Sequence, residues 1–229
     1  MARLFHSRVE AGAQLARALY AYRGRNPLVL AIPRGAVEMG AVVAEALGGE
    51  LDVVLVRKLP APSNPEFALG AIDESGWTYI APHAREAGAD TGYLAQAKAE
   101  QLALLRTRRA LYTPARAPAD PRGRVAIVID DGIATGASMI AALHAVRAKG
   151  PARLVCAAPV APQEGIEAVR PYADEVVCLA TPPQFYAVAQ FYAEFRQVDD
   201  TEVVKLLARA PGVRGTRKTH SEAGEQIRD

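Results

Sequence analysis

The sequence of 229 residues has little of several features that would point to particular classes of protein. Its only two cysteines, Cys156 and Cys178, lie inside apolar runs, which predicts buried free thiols in strands rather than a disulfide, a zinc site or a nucleophile. No stretch approaches the roughly 18 consecutive apolar residues of a membrane-spanning helix. The N-terminal segment has the pattern of an amphipathic helix capped by Ser7, not of a signal peptide. We therefore expect a cytoplasmic protein without a membrane partner.

The chain also lacks a strong charge of either sign. Its formal net charge of +2 is too small to argue for nucleic acid as a partner, and lysine supplies only five of the 27 basic residues. The four histidines are scattered, and nothing in the sequence gives any of them a partner for catalysis; they are His6, His83, His144 and His220. Composition therefore gives no support for a nucleic-acid partner, and no histidine is assigned to catalysis.

Short apolar runs alternate with helical patterns along most of the chain. This alternation predicts an α/β protein in which helices flank a parallel sheet. The predicted strands are 28–32, 52–59, 125–130, 154–160 and 175–180, with a hairpin from 67–72 and 77–81. The longest helical pattern covers 91–112, and its cations Arg106, Arg108 and Arg109 are predicted to form a solvated face or a subunit contact.

The segment VAIVIDDGIATGASM, Val125 to Met139, is the most informative one. An apolar strand ends in Asp130 and Asp131, and small residues follow where a helix begins. Unpaired N–H groups and the helix dipole favour an anion there, best a phosphate, and small side chains let it approach the backbone. Carboxylates beside a phosphate favour hydroxyls or a cation, and ribose 5-phosphate offers both a phosphate and a diol.

Two further loops should face the same crevice, because ligands collect beyond the carboxyl ends of parallel strands. The first strand ends in AIPRGA, which carries Arg34, and the second in VRKLPAP, which carries Arg57 and Lys58. These cations suit an anionic ligand. The alternatives are a surface turn for Arg34 and a solvated strand end for Arg57 and Lys58.

The segment VAIVIDDGIATGAS closely resembles the phosphoribosyl-pyrophosphate (PRPP) motif of type I phosphoribosyltransferases: an apolar strand, two acidic residues, two variable residues and a Thr-Gly turn. An ordinary strand-to-helix turn with a capping aspartate is the alternative. From about Ser7 to Leu207 the chain is similar to stand-alone bacterial phosphoribosyltransferase-domain proteins. The resemblance implies the type I fold with a small hood subdomain. It also implies Mg²⁺-dependent transfer of phosphoribose from PRPP to a nitrogenous base, with release of pyrophosphate.

The resemblance also implies a role for each matching residue. Asp130 and Asp131 would hold the ribose hydroxyls and Mg²⁺. Arg34 and Gly35 would donate to the diphosphate from a loop with a cis peptide between Pro33 and Arg34, and Arg57 and Lys58 would reach the same group. The implied catalytic residues are Asp130, Asp131, Arg34 and Lys58. The 5-phosphate would be wrapped by Ala134, Thr135, Gly136, Ala137 and Ser138.

The hood carries the expected base site. PPQFYAVAQFYAEFRQV, Pro182 to Val198, resembles the C-terminal segment of hypoxanthine-guanine transferases, in which an aromatic side chain stacks on the purine. Phe185 or Tyr186 would be that side chain. The acidic residue that those transferases use near the metal has no clear equivalent in this sequence, although Glu194 is nearby. The spacing alone instead predicts a helical core face, made by Phe185, Tyr186, Phe191, Tyr192 and Phe195.

These patterns imply a phosphoribosyltransferase domain over residues 1–212. Its core would cover about 24–180, and the N-terminal helix and about 181–210 would form the hood. Residues 213–229 are predicted to be a polar tail. A mobile loop is expected between Pro60 and Trp77, since water must be excluded from PRPP.

Other functions and states fit the pattern less fully or are left open. A regulator that senses PRPP or a nucleotide without turnover is the alternative to an enzyme. A dinucleotide-binding protein is disfavoured because IPRGAVEMG lacks the glycine spacing of such sites. Dimers are common in the resembled family, so a homodimer is compatible with this sequence.

Overall fold

The computed structural model describes residues 3–62, 64–81, 84, 90–114 and 117–209, without the side chains of 64–67. The expected polar tail, His83 and His220 lie outside the described residues. The helices are α1 (Arg8–Ala18), α2 (Ala36–Leu47), α3 (Thr91–Tyr112), α4 (Ala137–Arg147), α5 (Gln163–Val169) and α6 (Asp200–Arg209). The strands are β1 (Leu28–Ala31), β2 (Glu50–Val53), β3 (Val56–Ala61), β4 (Asn64–Asp73), β5 (Thr78–Ile80), β6 (Val125–Ile129), β7 (Arg153–Val160) and β8 (Glu175–Ala180).

Five strands form a parallel sheet in the order β2-β1-β6-β7-β8. This confirms the predicted α/β fold with a parallel sheet between helices. From the centre of the sheet, the chain adds β2 on one side of β1 and adds β6, β7 and β8 on the other side. The two central strands pair directly, Val29 with Ile127 and Ala31 with Ile129. The carboxyl ends of these two neighbouring strands therefore open one crevice, the usual ligand position in such sheets.

Alternate residues of the central strands enter two apolar layers. Val29 and Ile127 pack toward α1 and α2, whereas Leu30 and Val128 pack toward α4 and α5. All four are essentially inaccessible, as expected for strands covered on both faces. Helix α1 begins as predicted, with the Ser7 hydroxyl accepting the Glu10 N–H at 3.3 Å.

A second, antiparallel sheet of β3, β4 and β5 stands beside the first. The predicted hairpin is confirmed, with Gly70 opposite Ile80 and Ile72 opposite Thr78. The prediction of one strand over 52–59 is wrong, because the chain leaves the parallel sheet after Val53 and β3 pairs with β4. Most of the segment from Pro60 to Trp77, which is expected to include a mobile loop, belongs to this sheet, since Asn64–Asp73 form β4; the mobile loop stays a prediction.

The segment 182–198, which follows β8, pairs with the residues before α1 instead of forming the predicted helix. Only Val188–Phe191 are helical, as a short 3₁₀ turn. The backbone N–H groups of Leu4 and Phe5 donate to the Phe191 carbonyl, and that of Ala193 donates to Phe5. These pairings between distant parts of the chain replace the local bonds of a helix, so the expected helical face is not formed. The buried aromatic residues there are Phe191 and Tyr192.

Both cysteines are free, as predicted: Cys156 is buried in β7 and Cys178 is half-buried in β8. Burial raises the pKa of both thiols, so neither has the depressed pKa that activates a nucleophile. Within the described residues, no helix is both long enough and apolar enough to span a membrane.

Candidate active site

The loops after β1 and β6 meet at the crevice that the sheet order creates. The Ile32 N–H donates to the Ile129 carbonyl at 2.9 Å, which continues the pairing of the two strands to their ends. The first loop contains the predicted cis peptide between Pro33 and Arg34. Gly35 follows it and lies so close to Asp131 that a Cβ at this position would overlap the Asp131 carboxylate. The absence of a side chain at Gly35 is therefore what lets the two loops touch.

The two carboxylates at the end of β6 have different partners. Asp130 Oδ1 accepts the Asp131 backbone N–H at 2.9 Å, and Asp131 Oδ2 accepts Arg8 Nε at 2.7 Å. Burial and the negative charge of Asp131 raise the pKa of Asp130 well above its usual value, and Lys58 and Arg8 oppose this. Burial also raises the pKa of Asp131, against the lowering by Arg8. The protein therefore holds two carboxylates where charge is costly, ready for a ligand that stabilises them.

Arg8 is the residue that the sequence analysis missed. It lies on α1, its side chain is 7% exposed, and Nη1 donates to the Arg196 carbonyl at 2.7 Å. Its guanidinium carbon lies 3.8 Å from the centre of the Phe195 ring. Its position in the sequence could have indicated a buried role, because Arg8 shares the buried face of α1 with Ala11 and Leu15. An arginine on an apolar helix face needs a buried partner, but the sequence does not identify Asp131 as that partner.

The loop after Asp131 lines a cavity of about 170 Å³. Helix α4 begins at Ala137, and Gly136 before it has φ +82°, a left-handed conformation that favours glycine. Ala134 and Thr135 are exposed, so a ligand can reach the backbone between them and α4. The lining residues are Lys58, Asp130, Asp131, Gly132, Ile133, Ala134, Thr135, Gly136, Ala137, Ser138, Met139 and Val188. A cradle of small residues at a helix start suits a phosphate.

A larger cavity of about 450 Å³ adjoins the first and is rich in cations. It is lined by Ile32, Pro33, Val56, Arg57, Lys58, Pro60, Gln101, Arg108 and Ser138, with no carboxylate among them. Arg57 Nε donates to Gln101 Oε1 at 2.8 Å. Burial, and then the positive charge of Arg108, lower the pKa of Arg57. These cations lie close together without a carboxylate in the cavity, which suits a polyanion.

Two cations of α3 are placed differently from their prediction as a solvated face or subunit contact. Arg108 lines the larger cavity, and Arg109 binds Glu74 through Nε at 2.8 Å. Arg109 Nη2 also donates to the Val53 carbonyl at 3.2 Å. Arg106 is exposed as predicted. The helix packs against β3 and β4, and the Arg108 and Arg109 side chains are 28% and 17% exposed.

His144 has partners that the sequence did not reveal. Its ring stacks on Trp77 with centroids 3.6 Å apart, and Nδ1 lies 3.6 Å from Oδ2 of the buried Asp73. This contact joins α4 to the turn between β4 and β5. His144 does not line either cavity described above.

Four predicted site residues, Gly35, Arg34, Phe185 and Tyr186, lie outside the linings of these two cavities. Arg34 is exposed. Phe185 is half-buried against Phe191, with ring centres 5.1 Å apart, and Tyr186 is 80% exposed. Their assigned roles stay predictions. Glu194, the acidic residue considered near the metal position, instead pairs with His6 at 3.3 Å and is 68% exposed.

The described residues contain no group of three or more histidine, cysteine, aspartate or glutamate side chains arranged to hold a metal. Asp130 and Asp131 still offer carboxylate oxygens, the ligand type that Mg²⁺ prefers. One oxygen of Asp131 is already bonded to Arg8. A magnesium ion would fit here only if the substrate and water supplied most of its ligands, as is usual for Mg²⁺ at phosphate sites.

Comparisons with known proteins bear on this site. The family model described as phosphoribosyl transferase domain matches residues 5–196. Provisionally named phosphoribosyl transferases from two Mycobacterium tuberculosis strains are each 42% identical over 209 residues, which is 91% of this chain and 47% of the relative. The chain thus spans about half the length of these curated relatives. The crystal structure of TT1426 from Thermus thermophilus matches with a TM-score of 0.75 and 47% identity, covering 90% of this chain and 98% of that one.

Proposed function

Because the chain belongs to the phosphoribosyl transferase domain family, a family of transferases, we propose that its site uses PRPP with Mg²⁺. The reaction is transfer of phosphoribose to a nitrogenous base with release of pyrophosphate. The observation that carries this proposal is the position of Lys58, which lines both the phosphate cradle and the cationic cavity. A ligand with phosphate at each end and a diol between them matches two anion sites that flank a pair of carboxylates.

The proposed arrangement assigns each part of PRPP to a group of residues. The 5-phosphate occupies the cradle from Ala134 to Ser138, and the ribose hydroxyls bond to Asp130 and Asp131. The diphosphate occupies the larger cavity, where Arg57, Lys58 and Arg108 surround it. Arg34 and Gly35 approach it from the neighbouring loop. Each hydrogen bond to an ionised group contributes about 1.5–3 kcal/mol, so loss of one cation has a measurable effect.

The chemistry follows from where charge develops. As the bond to the anomeric carbon breaks, negative charge grows on the leaving diphosphate, and Lys58, Arg57 and Arg108 stabilise it. The sugar ring gains positive charge, as in glycoside cleavage, and the two aspartates lie beside the ring. Mg²⁺, held by the substrate and by Asp130 and Asp131, would neutralise further charge on the diphosphate. The base attacks from the opposite face, which the hood covers.

Titration calorimetry with PRPP, with and without Mg²⁺, tests the proposal. Wild-type protein should bind PRPP more tightly with Mg²⁺. Lys58→Met and Arg108→Met should each weaken binding by about tenfold or more, equivalent to about 1.4 kcal/mol. Lys205→Met is the matched control, because Lys205 is exposed on α6 and lines neither cavity.

The same samples separate the enzyme from the sensing regulator. Pyrophosphate release in a screen of purine and pyrimidine bases supports the transferase. Tight PRPP binding without release for any base in the screen favours the regulator instead. Absence of PRPP binding by folded wild-type protein contradicts both.

A further inference from the structure

We propose that Arg8 is a positioning residue that fixes the Asp131 carboxylate for the ribose diol and links the hood to the ribose site. This inference rests on the proposed function, since it assumes that Asp131 meets the substrate. Arg8 itself lies behind Asp131 and does not line either of the two cavities at the site. It acts on the ligand only through the carboxylate that it holds.

The geometry leaves Asp131 one defined orientation. Arg8 Nε donates to Asp131 Oδ2 at 2.7 Å, and Gly35 lies directly against the same contact. A Cβ at Gly35 would lie 2.7 Å from Arg8 Nε, so this space holds the ion pair and nothing more. Because Oδ2 accepts the hydrogen bond from Arg8, Oδ1 is the oxygen that remains for a ligand in the adjoining cavity.

Among the described residues, Arg8 is the cation within ion-pair distance of the Asp131 carboxylate. The Arg8 Nε–Asp131 Oδ2 distance is 2.7 Å, and the Asp131 side chain is 17% exposed. Lys58 is exposed and faces both cavities, whereas the Arg8 side chain is 7% exposed. The bond to Asp131 is therefore shielded from water and is stronger than a surface ion pair.

The same side chain connects Asp131 to the hood. Arg8 Nη1 donates to the Arg196 carbonyl at 2.7 Å, and the Phe195 ring covers the guanidinium at 3.8 Å. The Tyr192 hydroxyl donates to the backbone carbonyl of Asp131 at 2.6 Å. The segment expected to cover the base thus contacts Asp131 in two ways. It bonds directly to the Asp131 backbone through Tyr192, and it bonds to the Asp131 side chain through Arg8. A shift of this segment on base binding would move the carboxylate that holds the ribose.

Two variants and two ligands test the role of Arg8. Arg8→Met keeps an apolar stem of similar length but removes the charge and the donors, and Arg8→Lys keeps the charge without the paired donors. Arg17→Met on the exposed face of the same helix is the control. The ligands are PRPP with Mg²⁺ and inorganic pyrophosphate without Mg²⁺, because pyrophosphate has no diol and should bind in the cationic cavity alone.

We expect Arg8→Met to weaken PRPP binding by about tenfold or more while pyrophosphate binding stays within about twofold of wild type. Arg8→Lys should recover part of the loss, and Arg17→Met should behave as wild type. If Arg8 only packs the hood, the variants lower the melting temperature but bind PRPP as wild type does, and the inference is overturned. Equal loss of both ligands also overturns it, since that reports a general distortion. If wild-type protein binds pyrophosphate but not PRPP, the proposed function fails, and this inference fails with it.

Discussion

At Gly35, residues from three separate elements share a space that has room for no further side chain. Gly35 follows the cis peptide after β1, Asp131 lies two residues after the end of β6, and Arg8 belongs to α1. Their contact depends on the missing Cβ. The glycine is therefore needed for close approach, and its φ is not in the left-handed region.

Gly35→Ala tests this requirement. The added methyl group would overlap Asp131 Oδ2 and lie 2.8 Å from Arg8 Nη2, so the carboxylate or the loop must shift. Overpacking of this kind costs about 1–3 kcal/mol, and we expect a similar loss in unfolding free energy. PRPP affinity should fall by about tenfold or more, measured by calorimetry.

Gly92→Ala is the matched control for this substitution. Gly92 lies in the first turn of α3, where a Cβ meets nothing closer than 3.4 Å. Alanine there should leave PRPP binding unchanged and should raise stability by about 0.5–1 kcal/mol. An unchanged affinity in Gly35→Ala as well would show that the loop adapts without loss.

At this scale the sequence predicted which residues follow β6 but not the partner of Asp131. Asp130, Asp131 and the small residues after them follow directly from a strand that ends in polar residues at a helix start. Gly35 follows from the resembled loop. Arg8 could not be assigned, because it is 123 positions from Asp131 in the sequence and only folding brings the start of α1 to the loop after β6.

At the scale of elements, the β3–β4–β5 sheet determines where the cationic cavity lies. Lys58 and Arg57 are on β3, which is paired with β4. The turn after β4 is fixed to α4 by the Trp77–His144 stack and to α3 by the Arg109–Glu74 pair. The sequence predicted the hairpin, since its alternation and turn residues are local. It did not predict that β3 joins this hairpin, because an apolar run continues across the bend between β2 and β3.

Trp77→Ala should loosen this sheet. Trp77 is only partly buried, so we expect a stability loss of roughly 1–3 kcal/mol, below the ~3–5 kcal/mol of a fully buried aromatic residue. Amide hydrogen exchange in β4 and β5 should become faster than in β6. PRPP affinity should also fall, because β3 carries two of the cations through its pairing with β4.

Tyr20→Ala is the control for Trp77→Ala. Tyr20→Ala removes an aromatic ring that is 61% exposed and distant in sequence from this sheet, and it should change stability by less than about 1 kcal/mol. Exchange that rises equally in all strands of Trp77→Ala would indicate global destabilisation instead of local loosening.

At the scale of the whole molecule, the site opposes the stability of the unliganded fold. Two neighbouring carboxylates directly follow β6, a strand that is buried over residues 126–129. Among the described residues, only Asp131 of this pair has a cation in contact, since Arg8 reaches its Oδ2. Buried charge without a contacting partner costs stability, and functional sites commonly retain such groups. The two aspartates should therefore respond in opposite ways to the same substitution.

Asp130→Asn should stabilise the unliganded protein at pH 7. Asparagine keeps an oxygen that can accept the Asp131 N–H and removes the charge that burial and Asp131 disfavour. We expect a gain of about 1 kcal/mol, which raises the melting temperature of a chain of this size by about 2–4 °C. Asp131→Asn should instead destabilise the protein, by an amount near the lower end of ~3–5 kcal/mol, because it leaves the Arg8 guanidinium buried without its counter-charge.

Both variants should lose Mg²⁺-dependent PRPP binding. Thermal unfolding in the presence of a chelator measures the first effect, and calorimetry measures the second. Equal destabilisation by the two variants would contradict this prediction. It would show that the Asp130 carboxylate stabilises the unliganded fold, so that its buried charge does not lower the free energy of unfolding.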